Sequence, residues 1–125
     1  MTESDIIAHW RKGARDSLEV AELAHDAGKF SLALFHCHLA AEKALKAAFI
    51  EKNDDEPPYT HDLTKLALLI RQDWSGEHKN LLGELTDYAI AARYDDPGWA
   101  ERQAIQLISK LWIQRTRDFL SFLIP

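Results

Sequence analysis

A line of polar side chains on one predicted helix is the first feature of this sequence that could support chemistry. Glu42 and Lys46 lie four residues apart in an alanine-rich stretch, and His38 lies four residues before Glu42. Residues at this spacing stack on one helix face, and glutamate before lysine is the favourable order for an ion pair. Two interpretations remain open. The pair stabilises a helix surface by about 0.2–0.5 kcal/mol, or it lines a polar cleft that faces Arg93 and Asp96, as a buried glutamate would require.

Two further groups of polar residues flank predicted helix ends. His61 and Asp62 open one helix after a proline pair, whereas Arg93 and Tyr94 end the next helix just before another proline. In an antiparallel bundle these two ends meet, so we expect Arg93, Tyr94 and His61 to converge beside the glutamate–lysine pair. Such a site would offer a forked cation, a phenol and an imidazole to a phosphate or a base. The helix dipole alone also explains an acid at a helix start and a cation at a helix end.

The other residues that often carry chemistry point to structural roles. His36 and His38 lie about 200° apart around a helix of roughly 3.6 residues per turn, so they cannot bind one metal ion together. Cys37 is the only cysteine and falls on an apolar stripe, which favours a packed thiol in the core. The sequence contains no HExxH or CxxC motif and no glycine-rich phosphate loop. We therefore expect neither a metal ion nor a cofactor.

The elements that must position these residues are all predicted to be helices. Apolar residues recur at three- and four-residue spacing between breaks at glycine and proline, and no run alternates as a strand does. Thr2 and Thr60 are suited to cap two of the helices, and Gly28 to end the first. The predicted helices span residues 3–27, 30–52, 61–71, 77–93 and 99–122. This pattern predicts an all-α, antiparallel up-and-down bundle of four to five helices in one domain, residues 1–125.

Composition narrows the range of partners. The chain has 125 residues and a net charge of −5, which argues against a basic nucleic-acid-binding footprint. No apolar run is long enough to span a membrane, and the first five residues are too polar for a signal peptide, so we expect a cytoplasmic protein. The last helix carries a wide apolar arc that includes Ile108 and Trp112. Surplus apolar surface of this kind suggests a homodimer.

Three motifs, taken in order, resemble the HEPN-domain proteins. They are FHCHLAAEKALK at 35–46, YTHDL at 59–63 followed by Leu66, and Arg93-Tyr94 between a helix and a proline. The resemblance implies a bundle of four or five helices that usually forms a homodimer. Family members are often encoded beside a small nucleotidyltransferase as a toxin–antitoxin pair. Many are metal-independent ribonucleases with an arginine, four to six residues and then a histidine at a dimer cleft, whereas others bind nucleotides or partners.

The ribonuclease motif is not found at the expected place. No histidine follows Arg93, because His78 is the last one in the chain. Arg71 and His78 match the spacing, but they flank a predicted turn earlier in the sequence. We therefore interpret the chain as a module that binds a nucleotide or a nucleotidyltransferase-like partner, as one half of a toxin–antitoxin pair. The alternatives are an endoribonuclease that uses Arg71 and His78, or a rearranged site at Arg93 with His61, and a structural dimerisation protein.

Overall fold

The computed structural model describes residues 2–92 and 96–125, and these residues form six helices and no strand. The helices are α1 (Glu3–Asp26), α2 (Phe30–Asn53), α3 (Leu63–Leu68), α4 (Gly76–Ile90), α5 (Pro97–Gln103) and α6 (Gln106–Leu123). The predicted all-α antiparallel bundle is confirmed, with α1, α2, α4 and α6 as its long members. None of the helices in these residues is long and apolar enough to cross a membrane.

Local signals in the sequence explain where the first two helices begin and end. The Thr2 hydroxyl accepts a hydrogen bond from the Asp5 amide, and the Asp5 carboxylate accepts one from the Thr2 amide, which is a capping box. Gly28, with φ of 76°, ends α1 in the left-handed conformation that glycine tolerates. The chain then turns back, so that Arg11 near the start of α1 pairs with Glu51 near the end of α2.

The start of α3 differs from the prediction. Asp62 caps this helix by accepting a hydrogen bond from the Lys65 amide, so α3 begins at Leu63 rather than at residue 61. Thr60 does not cap the helix but accepts a hydrogen bond from the Asp62 amide just before it. The helix is also shorter than expected, because its regular part ends at Leu68.

The prediction of one continuous last helix is wrong. Ala104 and Ile105 leave the helical conformation, with ψ angles of 60° and 160°, and they separate α5 from α6. On the two sides of this break, Ala100 of α5 is buried, and Trp112 of α6 packs edge-on against Tyr88 with their ring centroids 5.7 Å apart. The preceding helix, α4, ends at Ile90, and its predicted end at Arg93 lies outside the described residues.

The central position of α2 is the feature that matters for the site. This helix contacts all five of the other helices. Small residues on facing stripes of α1 and α2 let the two backbones approach closely, and they include Ala14, Ala21, Ala24, Ala33, Ala40, Ala41, Ala44 and Ala47, all of them buried. Because α2 is surrounded, polar side chains in its middle are buried as well, and each needs a partner.

The outer face of α6 remains apolar and exposed. Leu107 is 74% exposed, and Leu111, one turn later, is also exposed. Trp112, which the sequence suggested as part of the dimer surface, is buried in the core against α4. One part of the wide apolar arc, with Trp112, therefore packs inside the bundle, whereas the neighbouring part, with Leu107 and Leu111, stays on the surface.

Candidate functional site

A buried carboxylate that holds two donors lies at the centre of the candidate site. Glu42 accepts a hydrogen bond from His61 Nδ1 at 2.7 Å through Oε1, and one from Lys46 Nζ at 3.2 Å through Oε2. Glu42 is 5% exposed and Lys46 is 8% exposed. The Glu42–Lys46 pair is therefore buried in the bundle and does not stabilise a solvated helix surface. We call Glu42, Lys46, His61 and His38 the Glu42 network.

The contacts of His61 determine which of its ring nitrogens a ligand can use. An ionised carboxylate can only accept hydrogen bonds, so Nδ1 of His61 carries the proton shared with Glu42. The side chain of His61 is still 48% exposed, and its second ring nitrogen, Nε2, remains for a ligand. Nε2 accepts a hydrogen bond when the ring is neutral and donates one when the ring is protonated.

The backbone of His61 is fixed as firmly as its ring. His38, buried on α2, donates a hydrogen bond from Nε2 to the main-chain carbonyl of His61 at 3.0 Å. Two residues later, the Leu63 amide donates to the Thr86 hydroxyl at 3.0 Å. This second bond places the start of α3 against the last two turns of α4. The two helices are thus brought together as the sequence predicted.

The other predicted site residues are accounted for in different ways. Asp62 caps α3, and Asp96 caps α5 by accepting a hydrogen bond from the Trp99 amide at 2.9 Å. Each carboxylate therefore has a structural task that needs no ligand. Arg93 and Tyr94 lie outside the described residues. Their convergence with His61 stays a prediction.

Two residues of the site were missed from the sequence. The ammonium of Lys46 lies over the ring of Trp10, 5.4 Å from its centroid, so the first turns of α1 cover this end of the network. Thr86 accepts the hydrogen bond that orients α3. No local pattern signals either contact, since both join segments far apart in the chain. His38, by contrast, was visible as the first member of a four-residue spacing with Glu42 and Lys46.

Arg71 and His78, the pair that matches the ribonuclease spacing, lie on a shared aromatic cluster of Trp74, Phe119 and Phe122. The guanidinium of Arg71 is 5.3 Å from the Trp74 centroid and 5.7 Å from that of Phe122. The His78 ring is 4.7 Å from Phe122 and 5.2 Å from Phe119.

The guanidinium of Arg71 already has an anionic partner. It donates to both oxygens of Asp73, at 2.7 and 2.9 Å. These hydrogen bonds raise the pKa of Arg71 and lower that of Asp73. To bind a phosphate with its forked guanidinium, Arg71 would first have to break its hydrogen bonds to Asp73.

Metal ligands are not grouped in the part of the chain that the structure describes. No cluster of three or more histidine, cysteine, aspartate or glutamate side chains there could hold a metal ion. The sulfur of Cys37 is buried, and its burial raises the pKa of the thiol to about 12. A thiol of this kind is protonated at neutral pH and serves the core.

Comparisons with known proteins place this architecture in a family. A search of curated proteins found no match. Among solved structures, the crystal structure of TT1696 from Thermus thermophilus is similar, with a TM-score of 0.81 and 24% sequence identity over 94% of each chain. This likeness shows a shared fold. The family model of the HEPN domain matches residues 7–120, a span that includes the whole Glu42 network. The chain therefore belongs to the HEPN domain family.

Proposed function

We propose that this HEPN domain is a binding module that recognises a nucleotide, with the Glu42 network as its phosphate-contacting site. The observation that supports the proposal is the single buried carboxylate that holds both Lys46 and a half-exposed His61. This arrangement fixes one imidazole at the surface with a defined nitrogen left for a ligand.

The charges of the network allow it to bind an anion through His61. Glu42 and Lys46 cancel each other, so the group is neutral when His61 is neutral and carries one positive charge when His61 is protonated. A phosphate oxygen near Nε2 would accept a hydrogen bond from the protonated ring. The bond between Nδ1 and Glu42 would then hold the ring in place for a charge-assisted hydrogen bond to the phosphate.

The energetic cost of the network also supports a role beyond stability. Burying an ion pair costs several kcal/mol per ion before the pair's own attraction is counted, and apolar residues of similar volume often stabilise a core as well or better. Most of the other buried side chains of α2 are apolar, and many of them are alanines. A buried pair that positions a surface histidine has a reason to be kept.

Isothermal titration calorimetry with adenosine 5′-monophosphate (AMP) and ATP tests the proposal. We expect saturable binding to the wild type and its loss in His61→Ala. The matched control is His78→Ala, which removes another partly exposed imidazole outside the network. Absence of nucleotide binding to the wild type would contradict the proposal, and so would equal affinity in the wild type and His61→Ala.

The exposed apolar face of α6 supports a second proposed function, assembly. Leu107 and Leu111 lie one turn apart on the surface, where an isolated monomer gains nothing from them. We propose that this face takes part in a homodimer or in docking of a nucleotidyltransferase-like partner, as in a toxin–antitoxin pair. Co-purification with a nucleotidyltransferase encoded beside the gene, lost in Leu107→Asp, would support it. Co-purification unaffected by this change would contradict the role of this face.

The alternative of a ribonuclease rests on Arg71 and His78. Because Asp73 occupies the Arg71 fork, we expect no metal-independent cleavage when the protein is incubated with total RNA. Robust cleavage that disappears in His78→Ala would favour the ribonuclease over the binding module.

A further inference from the structure

Tyr59 is an aromatic side chain left almost wholly in solvent beside the Glu42 network. It is 94% exposed, whereas Leu107 on the surface of α6 is 74% exposed. Its ring centroid lies 5.7 Å from that of His61, with the two rings edge to face at 64°. An edge contact of this kind, combined with such exposure, leaves ring surface open for another flat group.

The loop that carries Tyr59 is held on both sides. Before it, Pro57 and Pro58 are half-buried and have a fixed φ angle. After it, the Thr60 hydroxyl accepts a hydrogen bond from the Asp62 amide, and His61 is held by both its ring and its carbonyl. The backbone that carries Tyr59 is therefore held close to His61, which lowers the ordering cost of binding.

Burial in the bundle does not explain this residue. Aromatic side chains bury large apolar areas when they stabilise a fold. At 94% exposure, Tyr59 buries almost no apolar area, and its ring contact with His61 is edge-on and solvent-facing. An exposed aromatic ring next to a candidate phosphate-binding imidazole provides the two parts needed to hold a base and its phosphate.

We propose that Tyr59 is the stacking platform for the nucleobase of a nucleoside 5′-monophosphate whose phosphate binds His61. The inference rests on the proposed nucleotide function and adds the class of ligand and the residue that recognises its base. The two rings are neighbours, within the span of one mononucleotide. Stacking accepts every base, because each has a π face, but a purine offers the larger surface. The ligand class is therefore a mononucleotide, with purines bound more tightly than pyrimidines.

The experiment compares AMP with ribose 5-phosphate, which has the phosphate but no base, on the wild type, Tyr59→Ala and Tyr59→Phe. We expect the wild type to bind AMP more tightly than ribose 5-phosphate. Tyr59→Ala should lose about 5- to 150-fold in AMP affinity, the range for one base stacked on an aromatic ring, and none for ribose 5-phosphate. Tyr59→Phe keeps the ring and should bind AMP as the wild type does.

The outcomes separate this inference from the function on which it rests. If the wild type and Tyr59→Ala bind AMP equally, Tyr59 is not the platform, although nucleotide binding stands. If Tyr59→Ala weakens AMP and ribose 5-phosphate by the same factor, the residue shapes the loop and the inference is again overturned. If the wild type binds neither ligand, both the inference and the proposed function fail. Because Tyr59 is so exposed, the melting temperature (Tm) of each variant should equal that of the wild type, which checks that the fold is intact.

Discussion

Replacing Glu42 with glutamine should destabilise this protein far more than breaking an exposed ion pair of the same spacing. The substitution keeps the shape of the side chain and removes its charge. Lys46, 8% exposed, then lies as an ammonium ion with only a neutral amide oxygen and the Trp10 ring beside it. A buried charge without its counter-charge costs about 3–5 kcal/mol. We expect the lower end, about 3 kcal/mol, because the amide oxygen and the ring remain.

The expected shift in melting temperature follows from the length of the chain. Unfolding entropy is roughly 2.1 cal/mol/K per residue, so for 125 residues a loss of about 3 kcal/mol lowers Tm by about 11 °C. The matched control is Lys12→Met. Lys12 and Asp16 form an ion pair at the same four-residue spacing, 2.6 Å apart, but their side chains are 75% and 55% exposed. The Tm of Lys12→Met should stay close to that of the wild type, even though the Lys12–Asp16 pair is the shorter of the two ion pairs.

A double variant makes the test specific to buried charge. Glu42→Leu combined with Lys46→Met removes both ions together and should recover most of the lost stability, because apolar replacement of a buried pair is often neutral or stabilising. Thermal unfolding followed by circular dichroism measures all the variants. The reasoning is refuted if Glu42→Gln has the same Tm as Lys12→Met, or if the double variant is no more stable than Glu42→Gln.

Three further predictions concern the rest of the molecule. Leu107→Asp should convert a wild-type dimer into a monomer in light scattering while its circular dichroism spectrum keeps the helical content of the wild type, and a monomeric wild type would contradict the interface on α6. Burial raises the pKa of Cys37 to about 12, so iodoacetamide at pH 8 should label this thiol only in denaturant, and rapid labelling of the folded protein would contradict its buried state. Burial, and then the nearby charge of Lys43, lower the pKa of His36 in the folded state. The stability that His36 contributes to the folded state is complete above the unfolded pKa of about 6.5. It is lost as the pH falls towards the folded pKa, since there only the unfolded chain binds the proton. His36→Gln should therefore flatten the acid side of a plot of Tm against pH, and an unchanged profile would count against this assignment.

Much of the fold could be predicted because the signals are local. The capping box at Thr2 and the left-handed Gly28 set the ends of α1 directly from residue type. The break at Ala104 and Ile105 could not be predicted in this way, since neither residue is a helix breaker. Tertiary packing of Trp112 and Ala100 accompanies that break, and helical periodicity does not reveal which part of a wide apolar arc meets a neighbour.

The same distinction applies to the candidate site. The spacing of Glu42 and Lys46 predicted their ion pair, and its burial follows from the central position of α2, which only the packing of the other helices reveals. His61 was expected near them from the order of the helices. Trp10 and Thr86 reach the network from segments that are distant in the chain, so no spacing rule identifies them.

The most direct test of the central claim is a nuclear magnetic resonance titration that observes the imidazole nitrogens. The chain has six histidines, including the proposed ligand-binding His61 and the His78 of the ribonuclease alternative, so one long-range proton–nitrogen spectrum reports on both. As AMP is added, we predict that Nε2 of His61 shifts and saturates while the signals of His78 stay in place. A titration in which His78 shifts and His61 does not, or in which no histidine responds, would contradict the account.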